Sequence, residues 1–212
     1  VSIHALARLA ETRDLETGNH LRRTQEYVRA LGHALRDHPR FCHRLNDRII
    51  ATLARSAPLH DIGKVGIPDH ILLKPGKLTP AEWEIMKTHA ILGSEAIAQA
   101  ERDAAKAVEF LAVAKEIAHF HHEKWDGTGY PEALKGEEIP LSARLMALAD
   151  VFDALINRRV YKPPMPYGEA RDIIMGGRGS QFDPDVADAF LQVFDQFCAI
   201  ADRYRDDGQA SY

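Results

Sequence analysis

Cysteine is scarce in this chain. Cys42 and Cys198 stand far apart, too few for a disulfide framework or a thiolate metal cluster, and they read as reduced core residues. No apolar run approaches the roughly 20 residues that a membrane span needs, and no signal-peptide pattern is present. The segment is therefore expected to have no membrane span and to be cytoplasmic. A surplus of positive charge is also missing. The net charge of -4 excludes a protein that coats a nucleic-acid polymer, while leaving room for a local basic site. Alternating apolar and polar runs are absent too, so no strand is expected. What remains is an ordinary globular composition, 45% hydrophobic and 27% charged over 212 residues, the length of one large domain or two small ones. The chain opens at Val1 inside an amphipathic pattern, which suggests a domain from a longer protein.

Every periodic stretch is helical. Val1 to Glu11 carries an apolar stripe through Ile3, Leu6 and Leu9, and a second helix is predicted from about Thr17 to Arg36, ended by Pro39. A third covers about Leu45 to Ala57. Residues 63–78 hold Gly63, Gly66, Pro68, Pro75 and Gly76 and read as a long ordered loop. Thr79-Pro80-Ala81-Glu82 is a capping box that launches a helix to about Ala100. Further helices are predicted from about Ala104 to His121, from Pro140 to Asn157, from Gly168 to Met175, and onward from Asp183 as N-cap. The expected fold is a single all-α bundle of about seven or eight helices.

The organising stretch is Leu59-His60-Asp61-Ile62-Gly63-Lys64. Imidazole and carboxylate side by side can hold one cation, and the second carboxylate oxygen can reach another. Further ligand candidates sit where helix ends meet loops. Glu16 and His20 lie one helical turn apart, His89 follows Lys87-Thr88, and His121-His122-Glu123 closes a helix. Asp150 and Asp153 stand three apart on a helix otherwise apolar nearly all round. Buried carboxylates are costly there unless paired or metal-bound. Imidazole and carboxylate without cysteine select Fe, Mn, Zn or Ni. Two such ions bridged by Asp61 suit the generation of hydroxide for attack at phosphorus. Arg158, Arg159, Tyr161 and Lys162 then supply phosphate-clamping donors ahead of prolines, and Lys64 offers another. Tyr130 and Trp125 offer rings to a base, Trp125 equally to the core. His4, His33, His38, His43, His70 and His119 lack ligand company and are assigned to surface or satisfied core.

Together His60-Asp61-Ile62-Gly63-Lys64, His89, His121-His122-Glu123 and Asp126-Gly127-Thr128-Gly129-Tyr130-Pro131 resemble the HD-GYP domain, a branch of the HD phosphohydrolase superfamily. The likeness runs from about Arg13 to Pro184 and includes Glu16-Thr17-Gly18-Asn19-His20, Asp150 to Asp153 and Gly179 to Pro184. It implies an HD-domain-like helical fold and a metal-dependent phosphodiesterase cutting cyclic di-GMP to pGpG, GMP or both. By this likeness His60, Asp61, His89, His121, His122 and Asp150 hold two metals, Fe or Mn ahead of Ni or Zn, and Glu16 and His20 match positions for a third. Lys64, Arg159 and Lys162 match phosphate-binding positions, Tyr130 is the signature tyrosine at the substrate entrance, and Asp153 is expected beside the reaction centre. Asp61, Lys64 and Asp153 form the expected catalytic set. A protein partner at the Tyr130 loop and an upstream sensory or receiver domain are implied as well. Where the family often carries a Thr/Ser-Asp-Arg-Pro type sequence, this chain has Ile156-Asn157-Arg158-Arg159-Val160, which puts the rigidity of that loop in question. Three rival readings stay open: a phosphohydrolase for another nucleotide, a silent cyclic di-GMP receptor, and a pure interaction module.

Overall fold

The computed structural model describes residues 7, 10, 19–103, 109–157 and 164–205. Helices and turns make up this part, and its one bridge is an isolated pairing of Arg178 with Phe182. Apart from Ala7 and Ala10, the expected helix over residues 1–11 lies outside the described residues, as do the start of the next, Glu16, and the clamp residues Arg158, Arg159, Tyr161 and Lys162. Among the described residues no helix is long and apolar enough to cross a membrane.

The apolar run that opens the last third of the sequence becomes the axis of the molecule. Helix α7 (Leu141–Ile156), numbered within the order α1 (His20–Leu35), α2 (Asp47–Ser56), α3 (Asp69–Leu72), α4 (Pro80–Lys87), α5 (His89–Asp103), α6 (Glu109–Phe120), α7, α8 (Tyr167–Gly176), α9 (Pro184–Gln192) and α10 (Phe194–Arg203), is surrounded on most sides. Leu145, Leu148 and Phe152 on it are fully buried. Phe152 meets Tyr27 of α1 and Phe197 of α10 with ring centroids 5.4 and 5.2 Å apart, and Tyr27 stacks on Phe197 at 4.4 Å. Removing such a ring leaves a cavity, and Phe152→Ala would cost about 3–5 kcal/mol.

Three boundaries differ from the sequence reading. The helix expected over 79–100 is two helices, broken at Thr88. The Thr88 hydroxyl donates to the Ile85 carbonyl at 2.7 Å, a local bond that competes with helix continuation. The capping box itself is present, with the Thr79 side chain accepting from Glu82 N and the Glu82 carboxylate accepting from Thr79 N. The last helix is also two, divided at Val193, which lets Phe194 and Phe197 both pack on Phe190, at 5.7 and 5.0 Å. Residues 63–78, read as loop, contain a 3-10 turn, Ile62–Gly66, and the single-turn α3. Glycine and proline had masked both elements, since short turns tolerate them where long helices do not.

The Ile62–Gly66 turn lies against the first turn of α5. A Cβ at Gly63 would stand 2.0 Å from the His89 carbonyl oxygen and 2.4 Å from Gly93 N. Only glycine lets the two backbones approach this closely. That contact brings Asp61 and His89 together.

Candidate metal centre

Three histidines are oriented by their own turn of chain. His60 Nδ1 lies 2.9 Å from Ala57 O, His89 Nδ1 2.7 Å from Met86 O, and His121 Nδ1 2.9 Å from Ile117 O. A carbonyl can only accept, so each Nδ1 carries the proton and each Nε2 keeps its lone pair. His20 is oriented differently. Its Nδ1 donates to Asp153 Oδ2 at 2.9 Å across a sequence separation of 133 residues.

These Nε2 atoms converge in two sets, Asp61 with His89, His121 and His122, and His20 with His60 and Asp150. Asp61 stands between them. Its Oδ1 is 3.2 Å from His89 Nε2 and 3.5 Å from His121 Nε2, while its Oδ2 is 3.3 Å from His60 Nε2. In the second set the Nε2 atoms of His20 and His60 face each other at 3.4 Å, and Asp150 Oδ1 lies 3.9 Å from both. Two lone pairs directed at one another repel unless a cation or proton lies between them. Asp61 Oδ1, His121 Nε2 and Asp150 Oδ1 are moreover buried with no hydrogen-bond partner. Native structures rarely leave such atoms orphaned without an ion or water to satisfy them. The donor set of imidazoles and carboxylates fits divalent metal ions.

The electrostatics agree with that use. Burial would push the Asp61 carboxyl up, yet Lys64 and His60 hold it well below the usual carboxylate range. Lys64 Nζ sits 2.6 Å from Asp61 Oδ2. Burial pulls the imidazoles of His121 and His122 down, His122 well below its usual value. At His121 and His122 this gives an ionised carboxylate beside neutral imidazoles, the protonation state that metal binding requires, whereas at His60 burial is outweighed by the Asp61 and Asp150 carboxylates, which raise the imidazole.

Asp153 stands directly behind the His20 ring. Its oxygens receive Arg23 Nε at 2.6 Å and Nη2 at 3.0 Å as well as the His20 ring, in a region nearly closed to solvent. Burial would raise its pKa, but His20 and Arg23 hold it below the ordinary value. Arg23, fully buried, also donates to the Tyr204 carbonyl at 2.8 Å. The sequence reading did not single out this arginine. Its position three residues after His20, on the face that carries Tyr27, was the available signal.

The loop after His122 is built from both ends. Glu123 is not turned to the ligand sets. Its carboxylate accepts the backbone N–H groups of Glu132 and Leu134 at 2.7 and 3.1 Å. A Cβ at Gly129 would lie 2.4 Å from Lys124 N, so the loop folds back on its own start only with glycine there. Tyr130 stacks on His122 at 4.7 Å. Trp125 is held away from the opening, beside the guanidinium groups of Arg40 and Arg144, 5.4 and 5.7 Å from its ring. Of the two roles open to it, support for the loop is the one observed. Both arginines bind Asp183, the N-cap of α9, at 2.7–3.1 Å. The Trp125 and Asp126 N–H groups donate to Gln181 O and Ser180 O at 3.2 and 2.8 Å. The Gly179–Pro184 segment thus buttresses the loop, a task that only the packed structure discloses. A cleft of about 360 Å³ opens beside His122 and Asp150.

The HD domain family profile matches residues 4–186 of the chain. A Vibrio cholerae protein named "Probable cyclic di-GMP phosphodiesterase" is 58% identical over 208 residues, covering 98% of this chain and 47% of that protein. A second protein of the same organism, "3'3'-cGAMP-specific phosphodiesterase 2", is 41% identical over 198 residues, 93% of this chain and 35% of its own length. The chain thus spans less than half of these two relatives. Among solved structures, a cyclic GMP-AMP-specific phosphodiesterase of Vibrio cholerae aligns over 99% of this chain and 55% of that one. The TM-score of 0.63 at 20% identity shows a shared all-α fold.

Proposed function

The chain belongs to the HD domain family, and from that premise we propose that it is a metal-dependent phosphodiesterase hydrolysing cyclic di-GMP to pGpG, GMP or both. The observation that carries this reading is the convergence of imidazole nitrogens and carboxylate oxygens on two adjacent points with Asp61 between them, where Asp61 Oδ1, His121 Nε2 and Asp150 Oδ1 are buried without a hydrogen-bond partner. The 58% identity with the Vibrio cholerae relative supports the substrate.

In this reading His60, Asp61, His89, His121, His122 and Asp150 hold two divalent ions, iron or manganese, His20 faces the ion beside His60 and Asp150, and Glu16 with His20 matches positions for a third. When bound, such ions supply Lewis acidity at the phosphoryl oxygens and lower the pKa of water. The chain's own residues do the rest. Lys64, poised on Asp61, holds a non-bridging phosphate oxygen, and Arg159 and Lys162 complete the clamp. Tyr130 borders the entry to the site. Asp153 keeps the His20 ring in its orientation through the bond to Nδ1, and Arg23 keeps Asp153 ionised. With both of its oxygens so engaged, Asp153 acts as a positioning group, and water supplies the proton for the leaving 3' oxygen.

A regulatory domain outside residues 1–212, a protein partner at the Tyr130 loop, and a cytoplasmic site of action belong to the same proposal. The experiment is anaerobic turnover of cyclic di-GMP with ferrous or manganous ion, products separated by chromatography, before and after chelation. Cleavage that chelation abolishes and metal restores supports the reading. Binding without cleavage under every metal would make the domain a receptor instead. The relative named for 3'3'-cGAMP makes a hybrid cyclic dinucleotide the rival substrate, and parallel turnover of both compounds decides between them.

A further inference from the structure

The cleft beside the ligand sets has an outer wall that the reaction does not use. Trp83 and Lys87 lie one turn apart on α4 and face into it opposite Tyr130. Trp83 is 46% exposed, a large indole left open to water beside a polar centre. Its ring stands edge-on to Tyr130 with centroids 6.3 Å apart, and Lys87 Nζ is 5.7 Å from the Tyr130 ring centre. Ala147 and Val151 add apolar lining. Helix α4 is held in place at its start by the capping box and by Lys74, whose ammonium meets Glu82 at 2.5 Å. The wall is therefore preformed, and Lys87 pairs with the exposed Glu84 at 2.7 Å, a pair that exchanges readily.

We propose that Trp83 and Lys87 form a purine-recognition subsite, in which Trp83 packs on the base and Lys87 selects guanine. The inference rests on the phosphodiesterase reading for its substrate class. A phosphate attacked at the metal centre lies against Asp61 and Asp150. Groups beyond Tyr130 then meet what extends from it, the ribose and base. An exposed indole beside a tyrosine suits the flat face of a base, which stacks on aromatic rings irrespective of sequence. An ammonium donates to the O6 and N7 acceptors of guanine, whereas adenine places an amino donor at the corresponding position. Trp83 thus supplies affinity and Lys87 discrimination.

The test uses GMP and AMP as probes of the metal-loaded protein, since the two share a phosphate and ribose and differ in the base. Trp83 and Trp125 are the only tryptophans, and GMP should change the intrinsic fluorescence of the wild type but not of Trp83→Phe. By calorimetry Trp83→Ala should weaken GMP about tenfold, with Trp83→Phe recovering most of the loss. Lys87→Gln should weaken GMP about tenfold and AMP about twofold or less. A fluorescence response that persists in Trp83→Phe, or an absent response in the wild type, overturns the subsite. An equal loss of GMP and AMP in Lys87→Gln overturns guanine selection and makes Lys87 a phosphate contact. If cyclic di-GMP is not cleaved while the GMP response stands, the phosphodiesterase reading fails and the subsite survives.

Discussion

The two ligand sets of this centre are built by different means. In the set formed by Asp61, His89, His121 and His122, the rings of His89 and His121 are oriented by carbonyls three and four residues earlier in their own turns. In the set of His20, His60 and Asp150, His20 is oriented by Asp153, which depends in turn on Arg23 and, through it, on Tyr204 near the far end of the described chain. The first arrangement is local and its orienting groups are neutral. The second is mixed, because His60 is oriented by the neutral Ala57 carbonyl in its own turn while His20 is oriented by a charged group more than a hundred residues away. A carboxylate behind a histidine makes the ring a stronger ligand than a carbonyl does, but it must be paired to stay buried. The His20 set therefore gains ligand strength at the cost of depending on the whole fold.

Asp61 joins the two sets, so its removal should erase the contrast altogether. Asp61→Ala is expected to empty both sets and to reduce turnover by on the order of 10³-fold or more. Metal content by elemental analysis, measured beside activity, checks it. Full activity in this variant would end the metal reading.

Arg23→Ala should separate the sets. It leaves Asp153 buried without its cation, at a cost of about 3–5 kcal/mol in urea unfolding. Metal affinity of the His20 set should fall about 10- to 100-fold while the His89 set keeps its ion. Arg23→Lys, which restores charge without the fork, should recover part of the stability. A uniform loss of metal from both sets would show that the two are not independent.

Gly63→Ala probes the opposite side. The added methyl meets the His89 carbonyl and Gly93 N, so the turn and α5 must move apart, at about 1–3 kcal/mol. The expected result is weaker metal binding by the Asp61 and His89 set with no ligand altered, read by metal titration.

Asp188→Asn, which touches neither set, should do least. Hydrogen bonds from Arg178 hold the Asp188 carboxyl below its usual value, at the surface. A depressed carboxylate stabilises above its unfolded pKa of about 3.9 and loses that contribution as pH falls through its folded value. The difference from wild type should be about 0.5 kcal/mol or less at pH 7 and shrink below about pH 4. Urea titrations at both pH values measure it.

The same local and non-local division separates what could be read from the sequence. Helix periods, the Thr79 capping box and Asp183 as N-cap were legible because each depends on neighbours within one turn. The histidine and aspartate ligand candidates were legible as residue types in costly places, above all Asp150 on an apolar helix. The breaks at Thr88 and Val193 were not, because each is decided by a side-chain bond or a packing contact too weak to mark the sequence. Glu123, next to the two histidines, holds the loop over residues 132–134, a role that its local sequence does not mark.

By itself, then, the sequence determined an all-α chain with a His and Asp inventory suited to metal ions, since periodicity and residue chemistry are properties of short stretches. Tertiary structure alone decided that Asp61 stands between two sets, that Arg23 and Tyr204 lie behind His20, that Arg40, Arg144 and Asp183 secure the loop carrying Tyr130, and that Trp83 and Lys87 face the cleft. These pairings join residues far apart in the chain. Their geometry follows from how helices pack around α7, and packing is a property of the whole molecule.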